Sequence, residues 1–263
     1  LLRNEISTMR RPAFARSVGL PVLGVALFVA AWAAAVALSG TRLVPGPLAV
    51  LRALGELLAH GLLLRYLVAS LFRVTWGFLL AAALAIPAGI ALGLSRRAEA
   101  AWNPLVQVLR PISPLAWIPI AILWFGVGDR AAIWLIFIAS FFSLLVTVIR
   151  AVHDVDPVHK NAALNFGLDR RRLVRSVVLP AILPQLVVGL RLALGVAWLV
   201  VVAAEMIAVS SGLGFLIIDA RNAGNRYDLV VAGMAMIGAV GLLLDTLVRR
   251  LERLPSVAWG FSA

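Results

Sequence analysis

The sequence predicts an all-α, polytopic membrane protein with about six transmembrane helices, and two observations carry that prediction. The chain is 62% hydrophobic with a mean hydropathy of +1.01 and only 14% charged residues, against about 25% charged in an ordinary soluble domain. Several runs also reach the roughly 20 apolar residues that a bilayer core of about 30 Å demands of a helix. The alternating ten-residue segments of a transmembrane β-barrel are absent. The net charge of +12 would point to nucleic acid in a soluble protein. Here the basic residues flank apolar spans and read as determinants of topology, so no nucleic-acid partner is expected. With no cysteine among 263 residues, disulfides and thiolate metal sites are excluded. The chain reads as a single transmembrane domain, 1–263.

Arg10, Arg11 and Arg16 precede an apolar run at 18–38 that exceeds the 7–15 residues of a signal-peptide core, so it reads as an uncleaved first span. Pro45 and Pro47 then stop the helix, since proline lacks an amide proton and restricts its predecessor. Residues 48–67 carry apolar side chains at helical spacing with Arg52, Glu56, His60 and Arg65 between them, as in a helix lying at the outer interface. The second span, 68–94, holds Gly77, Gly89 and Gly93, small residues that let helices approach, together with Pro87. Arg73 near its outer end is expected to snorkel.

The third span, 105–124, contains Pro111, Pro114 and Pro119, which an uninterrupted helix does not accommodate. Backbone freed at membrane depth must be covered by protein or line a wet cavity, as at the solute sites of transporters; a kinked packing helix is the simpler alternative. Trp124 to Asp129 closes the span in a glycine turn, and a fourth span follows at 131–150. The fifth, 185–209, carries Arg191, Trp198 and Glu205 seven residues apart, so at about 100° per residue they share one stripe. Glu205 is too costly to expose to lipid and should face the bundle, either on a pathway or bonded to a neighbouring span or loop. Arg191 lies nearer the inner end, where snorkelling would account for it. A glycine-rich turn at 210–215, a polar outer loop and a sixth span at 228–248 complete the chain.

The longest hydrophilic interval is 153–184. With its N-terminus inside, the chain places sixteen basic residues on the inner side, counting Arg150, Lys160, Arg170, Arg171, Arg172 and Arg175 around this loop, and six on the outer. That excess makes 153–184 cytoplasmic. Lys160, the only lysine, is followed by Asn161, so no G-x-x-x-x-G-K-[ST] phosphate loop exists. The lone G-x-G at Gly212 follows no strand, which excludes a Rossmann site. His153, Asp154, Asp156 and His159 match no zinc spacing, and no buried serine, histidine and carboxylate suggest a hydrolase. The chain is not expected to be an enzyme or to hold a metal or cofactor.

Asn161-Ala162-Ala163, Gly167 three residues on, and Val177-x-Leu179-Pro180 after nine more resemble the cytoplasmic loop signature of bacterial ABC importer permeases, E-A-A, three residues, G, nine residues, I-x-L-P. Asn161 departs from the glutamate and Val177 from the isoleucine. The resemblance extends to the nitrate/taurine/alkanesulfonate branch through Leu43 to Pro47, Gly89 to Gly93, Leu109 to Pro119, Ile122 to Gly128, Gly189 to Trp198, Ala204 to Met206 and Gly212 to Gly214. It implies a type I ABC importer permease fold and a multi-pass subunit of the bacterial inner membrane with both termini cytoplasmic. It further implies work beside a second permease subunit, as a homodimer, with two ATPase subunits that hold ATP and Mg, and with an extracytoplasmic solute-binding protein.

On that resemblance 161–172 is a coupling helix docking in an ATPase groove, with Asn161, Ala162, Ala163, Gly167, Leu168, Asp169 and Arg170 as contacts and Ala162 and Ala163 seated deep in the partner. The pathway for a small anion, a sulfonate such as taurine or nitrate, is expected around Ser113, Trp117, Arg191, Trp198, Glu205 and Ser211. An ion-coupled secondary transporter or channel would also use the broken span and Glu205, but leaves 161–180 unexplained.

Overall fold

A computed structural model describes residues 13–40 and 44–252. Arg3, Arg10, Arg11, Arg42, Leu43 and Arg253, used in the charge and motif readings above, lie outside them, as does the side chain of Arg16. The described residues form helices and connecting turns only: α1 (Ala13–Ser39), α2 (Pro47–Ala59), α3 (Leu62–Gly93), α4 (Arg96–Leu109), α5 (Ile118–Phe125), α6 (Asp129–Asp154), α7 (Pro157–Asn165), α8 (Arg170–Leu173), α9 (Leu179–Ala208), α10 (Leu213–Gly224) and α11 (Tyr227–Leu251). A 3₁₀ turn at Pro114–Trp117 leads into α5, and a π-helical turn at Val174–Val178 leads into α9.

Among the described residues five helical stretches are long and apolar enough to cross a membrane, or six if one bent pair is counted as a single broken span. That pair is the proline-rich third span. α4 and the 114–125 segment meet at 86° around Arg110 to Ser113, so the expected break is present. It is larger than the predicted 105–124 suggests, because α4 begins at Arg96, capped by the Ser95 hydroxyl, which accepts from the Ala98 N–H. α3 likewise begins six residues before the predicted 68. The helix expected over 48–67 is divided: α2, too short to be a candidate span, ends at Ala59, and the rest enters α3; His60 bonds the Glu56 carbonyl and is exposed.

The centre of the bundle is α3, α6 and α9. Gly77, Ala81, Ala85, Gly89 and Gly93 recur every fourth residue of α3, so they form one ridge along the helix. A Cβ at Gly77, Gly89 or Gly93 would stand 2.7–2.8 Å from the Cβ of Ile136, Val148 or Val152 on α6. Each partner lies 59 positions further along, so α3 and α6 run parallel in constant register. Such a row of small residues lets van der Waals contact hold helices together where lipid supplies no hydrophobic drive. α9 returns antiparallel against both, with Gly189 on Thr147.

Two apolar clusters divide the bundle lengthwise. One joins α2, α10, α11 and the adjoining halves of α3, α6 and α9. The other joins the remaining halves of those three to α4, α7 and α8. The second half carries Arg96, Arg97, Arg150 and the arginines of 170–175 and is called the basic end. α1 stays peripheral, with only Trp32 and Val36 half-buried along its described face.

Candidate functional site

At the end opposite the basic one, α3, α6, α9 and α10 are joined by a buried polar network. Glu205, wholly buried, accepts from Arg73 Nη1 at 2.6 Å, from the Ser70 hydroxyl at 2.9 Å and from the Gly214 N–H at 3.0 Å. Ser70 also accepts from the Leu213 N–H at 2.9 Å. Arg73, 2% exposed, pairs with Asp129 at 2.7 Å and donates to the carbonyl and hydroxyl of Ser211 at 2.7 and 2.6 Å. Arg73 therefore does not snorkel as expected. An intramembrane carboxylate offers it a better partner than a distant headgroup.

The glycine-rich turn after α9 exists to wrap this carboxylate. Gly212 has a φ of 109° and a Cβ there would overlap the Glu205 carboxyl group, while one at Gly214 would overlap the Val202 carbonyl. Every polar atom of the pair thus has a partner, the condition under which a buried ion pair is tolerated.

The stripe of Arg191, Trp198 and Glu205 is real, but its members serve two neighbours. Arg191 bonds Asp245 of α11 at 2.5 Å and Glu252, the residue that caps it, at 3.2 Å, so it too is paired and not simply snorkelling. The Trp198 indole donates to the Ile237 carbonyl at 3.0 Å and packs on Gly241. Arg191 and Trp198 line a cavity of about 140 Å³ between α9 and α11. Ser211 joins Glu205 through Arg73. Ser113 is exposed and caps the 3₁₀ turn, accepting from the Leu115 N–H at 3.4 Å. Trp117, half-buried, packs edge-on to Trp134 at 5.9 Å, and its indole N–H has no partner among the described residues. No hydrogen bond or ion pair among the described residues ties Ser113 or Trp117 to the other four. The sequence reading missed Ser70 and Asp129, although Arg73 and Glu205 stand at matching depths from one end of their spans, opposite charges without another partner.

At the basic end, α7 starts at Pro157, where Asp156 accepts from the Val158 N–H at 2.8 Å. This aspartate–proline start is an ordinary helix signal. The helix stops where the signature glycine stands. Gly167 has a φ of 77°, its N–H bonds the Leu164 carbonyl and the Leu168 N–H bonds the Ala163 carbonyl, a Schellman ending that favours glycine. The stop at Gly167 divides 161–172 between two helices: α7, then α8, where Asp169 accepts from the Arg172 N–H at 3.2 Å.

α7 is held to its own bundle by buried Ala163 and by the Lys160 ammonium, which donates to the Val152 carbonyl at 2.7 Å. Burial pulls the Lys160 pKa down. Ala163 thus faces inward instead of toward a partner, whereas Asn161 and Ala162 are exposed. Three exposed apolar side chains, Val158, Leu164 and the C-cap Phe166, 67, 52 and 85% exposed, stand among exposed His159, Asn161 and Asn165. From α8 the chain enters α9 through the π turn, in which the Leu179 N–H bonds Val174 five residues back. Pro180 supplies no N–H and crowds the carbonyl of residue 176, which accounts for the wider turn.

Residues 85–256 match the family model described as binding-protein-dependent transport system inner membrane component. The chain belongs to this family. Its permease relatives include the bicarbonate transport system permease protein of Synechococcus elongatus, 38% identical over 89% of this chain and 88% of that protein. The taurine transport system permease protein of Escherichia coli is 38% identical over 72% of this chain and 68% of its own length. Among solved structures, an inward-facing form of the MetNI methionine ABC transporter superposes with a TM-score of 0.66 at 20% identity, over 74% of this chain and 96% of the other. The chain is accordingly a multi-pass ABC transport permease with the importer-permease fold.

Proposed function

We propose that this permease forms, as a homodimer, the membrane pathway of an ATP-driven importer for a small oxyanion such as a sulfonate, bicarbonate or nitrate. The observation that carries the coupling half is the outward face of α7. Three apolar side chains, one of them 85% exposed, project at the basic end beside the arginines of 170–175. An aromatic anchor with a charged rim is the composition of a protein interface core. A separate ATPase that binds ATP and Mg fits there, contacting Asn161, Ala162, Gly167, Leu168, Asp169 and Arg170 around that anchor. The excess of basic residues supports a cytoplasmic placement for this end and for both termini.

When the ATPases close, α7 moves with them, and its ties through Ala163, Lys160 and α8 pass the displacement into α6 and α9. The π turn is the joint that takes up the change in pitch. At the far end Arg73 and Glu205 hold α3, α6, α9 and α10 as one body, so the displacement rocks the bundle instead of dissipating. Glu205, Ser211, Arg191 and Trp198 serve this frame, and Ser113 and Trp117 at the broken span are the pathway residues. The relatives' named solutes, taurine and bicarbonate, support the oxyanion class, and a solute-binding protein on the outer side delivers it.

Reconstitution of the purified complex in proteoliposomes tests this. Uptake of radiolabelled taurine or bicarbonate should require internal ATP and the ATPase. Phe166→Asp should abolish uptake while the permease stays folded. Uptake by the permease alone on an ion gradient overturns the reading.

A further inference from the structure

We propose that a cleft between α4 and α6 at the basic end is a binding site for an oxyanion, held by Arg110 and Arg150. The cleft has a volume of about 730 Å³, ample for a small hydrated anion. Its polar wall on α4 consists of Asn103, Gln107 and Arg110, spaced by four and three and hence on one helical face. The facing wall on α6 presents Arg150 and His153, again one turn apart.

The charge is unbalanced in one direction. The side chains of Arg110 and Arg150 make no ion pair or hydrogen bond with any described residue. The one carboxylate in the lining, Glu99, is engaged by His153 Nε2 at 3.0 Å. Two guanidiniums with free donors therefore front one concavity, flanked by two amides that also donate. Guanidinium N–H groups form a planar fork matched to the paired oxygens of carboxylate, sulfonate or phosphate.

Elsewhere the molecule pairs its enclosed arginines: Arg73 with Glu205 and Asp129, Arg191 with Asp245 and Glu252. Arg110 and Arg150 are both exposed and so need no protein partner; Arg110 is also the C-cap of its helix, where the carbonyl dipoles favour a cation. Positive charge at this end follows from topology alone, but topology does not require two arginines to line one cleft with amides between them. The site also lies beside Pro111, at the break in the bent pair. The opposite network, with two carboxylates to one arginine, repels an anion.

The ligand chemistry is an oxyanion group, and it has two sources: the solute on its way out, or the phosphate of a lipid headgroup. That the soluble ligand is the transported solute rests on the function proposed above. The probe is phenylglyoxal, an arginine reagent, applied to the purified transporter in phosphate-free detergent and read at each arginine by peptide mass spectrometry. Methanesulfonate, bicarbonate or nitrate at ten times its dissociation constant should slow modification of Arg110 and Arg150 about tenfold, without slowing Arg170, Arg171 or Arg172. Arg110→Gln should remove protection at Arg150, and Arg150→Gln at Arg110.

For the lipid source, native mass spectrometry should show a phosphatidylglycerol adduct that both variants lose, and added phosphatidylglycerol should give the same protection. Protection by neither probe beyond that at Arg170–Arg172 overturns the site. Protection without ATP-driven uptake keeps the site and removes the permease reading of its ligand; ATP-driven uptake without protection removes the site alone.

Discussion

The two ends of the bundle handle charge in opposite ways. At one end Arg73 and Glu205 are enclosed and every polar atom between them has a partner. At the basic end α7 leaves Phe166 and Leu164 in the open, and the arginines of α8 exposed around them. The first arrangement suits a part whose own helices must stay together. The second suits a part completed by another protein. The difference teaches that buried charge in this chain marks rigidity, whereas exposed apolar surface marks contact.

The hardest test of the rigid end is Arg73→Met, which strands two carboxylates. It should lower unfolding stability in detergent by about 3–5 kcal/mol, and the double variant Arg73→Met/Glu205→Leu should recover part of the loss because no uncompensated charge remains. A double variant worse than the sum of the singles would break the comparison. Next, Phe166→Ala should weaken ATPase binding, measured by titration of the detergent-solubilised permease, by about 2 kcal/mol or more, with an unchanged melting temperature. Equal losses of stability and binding would mean that Phe166 belongs to the fold.

Gly89→Val should cost about 1–3 kcal/mol by driving α3 from Val148, read by thermal unfolding. The smallest effect is expected at the exposed pair Glu56–Arg226, 2.7 Å apart. The hydrogen bond from Arg226 holds the Glu56 pKa below its ordinary value of 4.5. Its stabilising contribution is therefore present above that ordinary value and disappears as pH falls through the lowered one. A Glu56→Gln variant should differ slightly from the parent in melting temperature at neutral pH and converge with it in acid; a gap that widens on acidification would contradict this.

Much of this contrast was legible in the residues. The spans, the glycine ridge of α3, the break after Arg110 and the stop at Gly167 follow from apolar length, small-residue spacing and the conformational needs of proline and glycine. The ion pair was not, because Arg73 and Glu205 lie 132 positions apart and each has an inexpensive explanation when read alone. α4 was underestimated because Arg96, Arg97 and Glu99 in its first turn fail a test for apolar length, although Ser95 marks its start. The inward turn of Ala163 depended on the phase of α7, set by Asp156 and Pro157, which the signature at 161–180 does not include. The π turn left only Pro180 as its trace.

The central claim is that the apolar tip of α7 is gripped by a separate ATPase on the inner side. The chain has no cysteine, so Phe166→Cys creates a unique attachment point for a photo-cross-linker in the intact complex. The account predicts an adduct with the ATPase subunit whose yield changes when ATP is added, and protection from membrane-impermeant thiol reagents in intact cells. Labelling from outside the cell, or an adduct with every neighbour except a nucleotide-binding subunit, would contradict it.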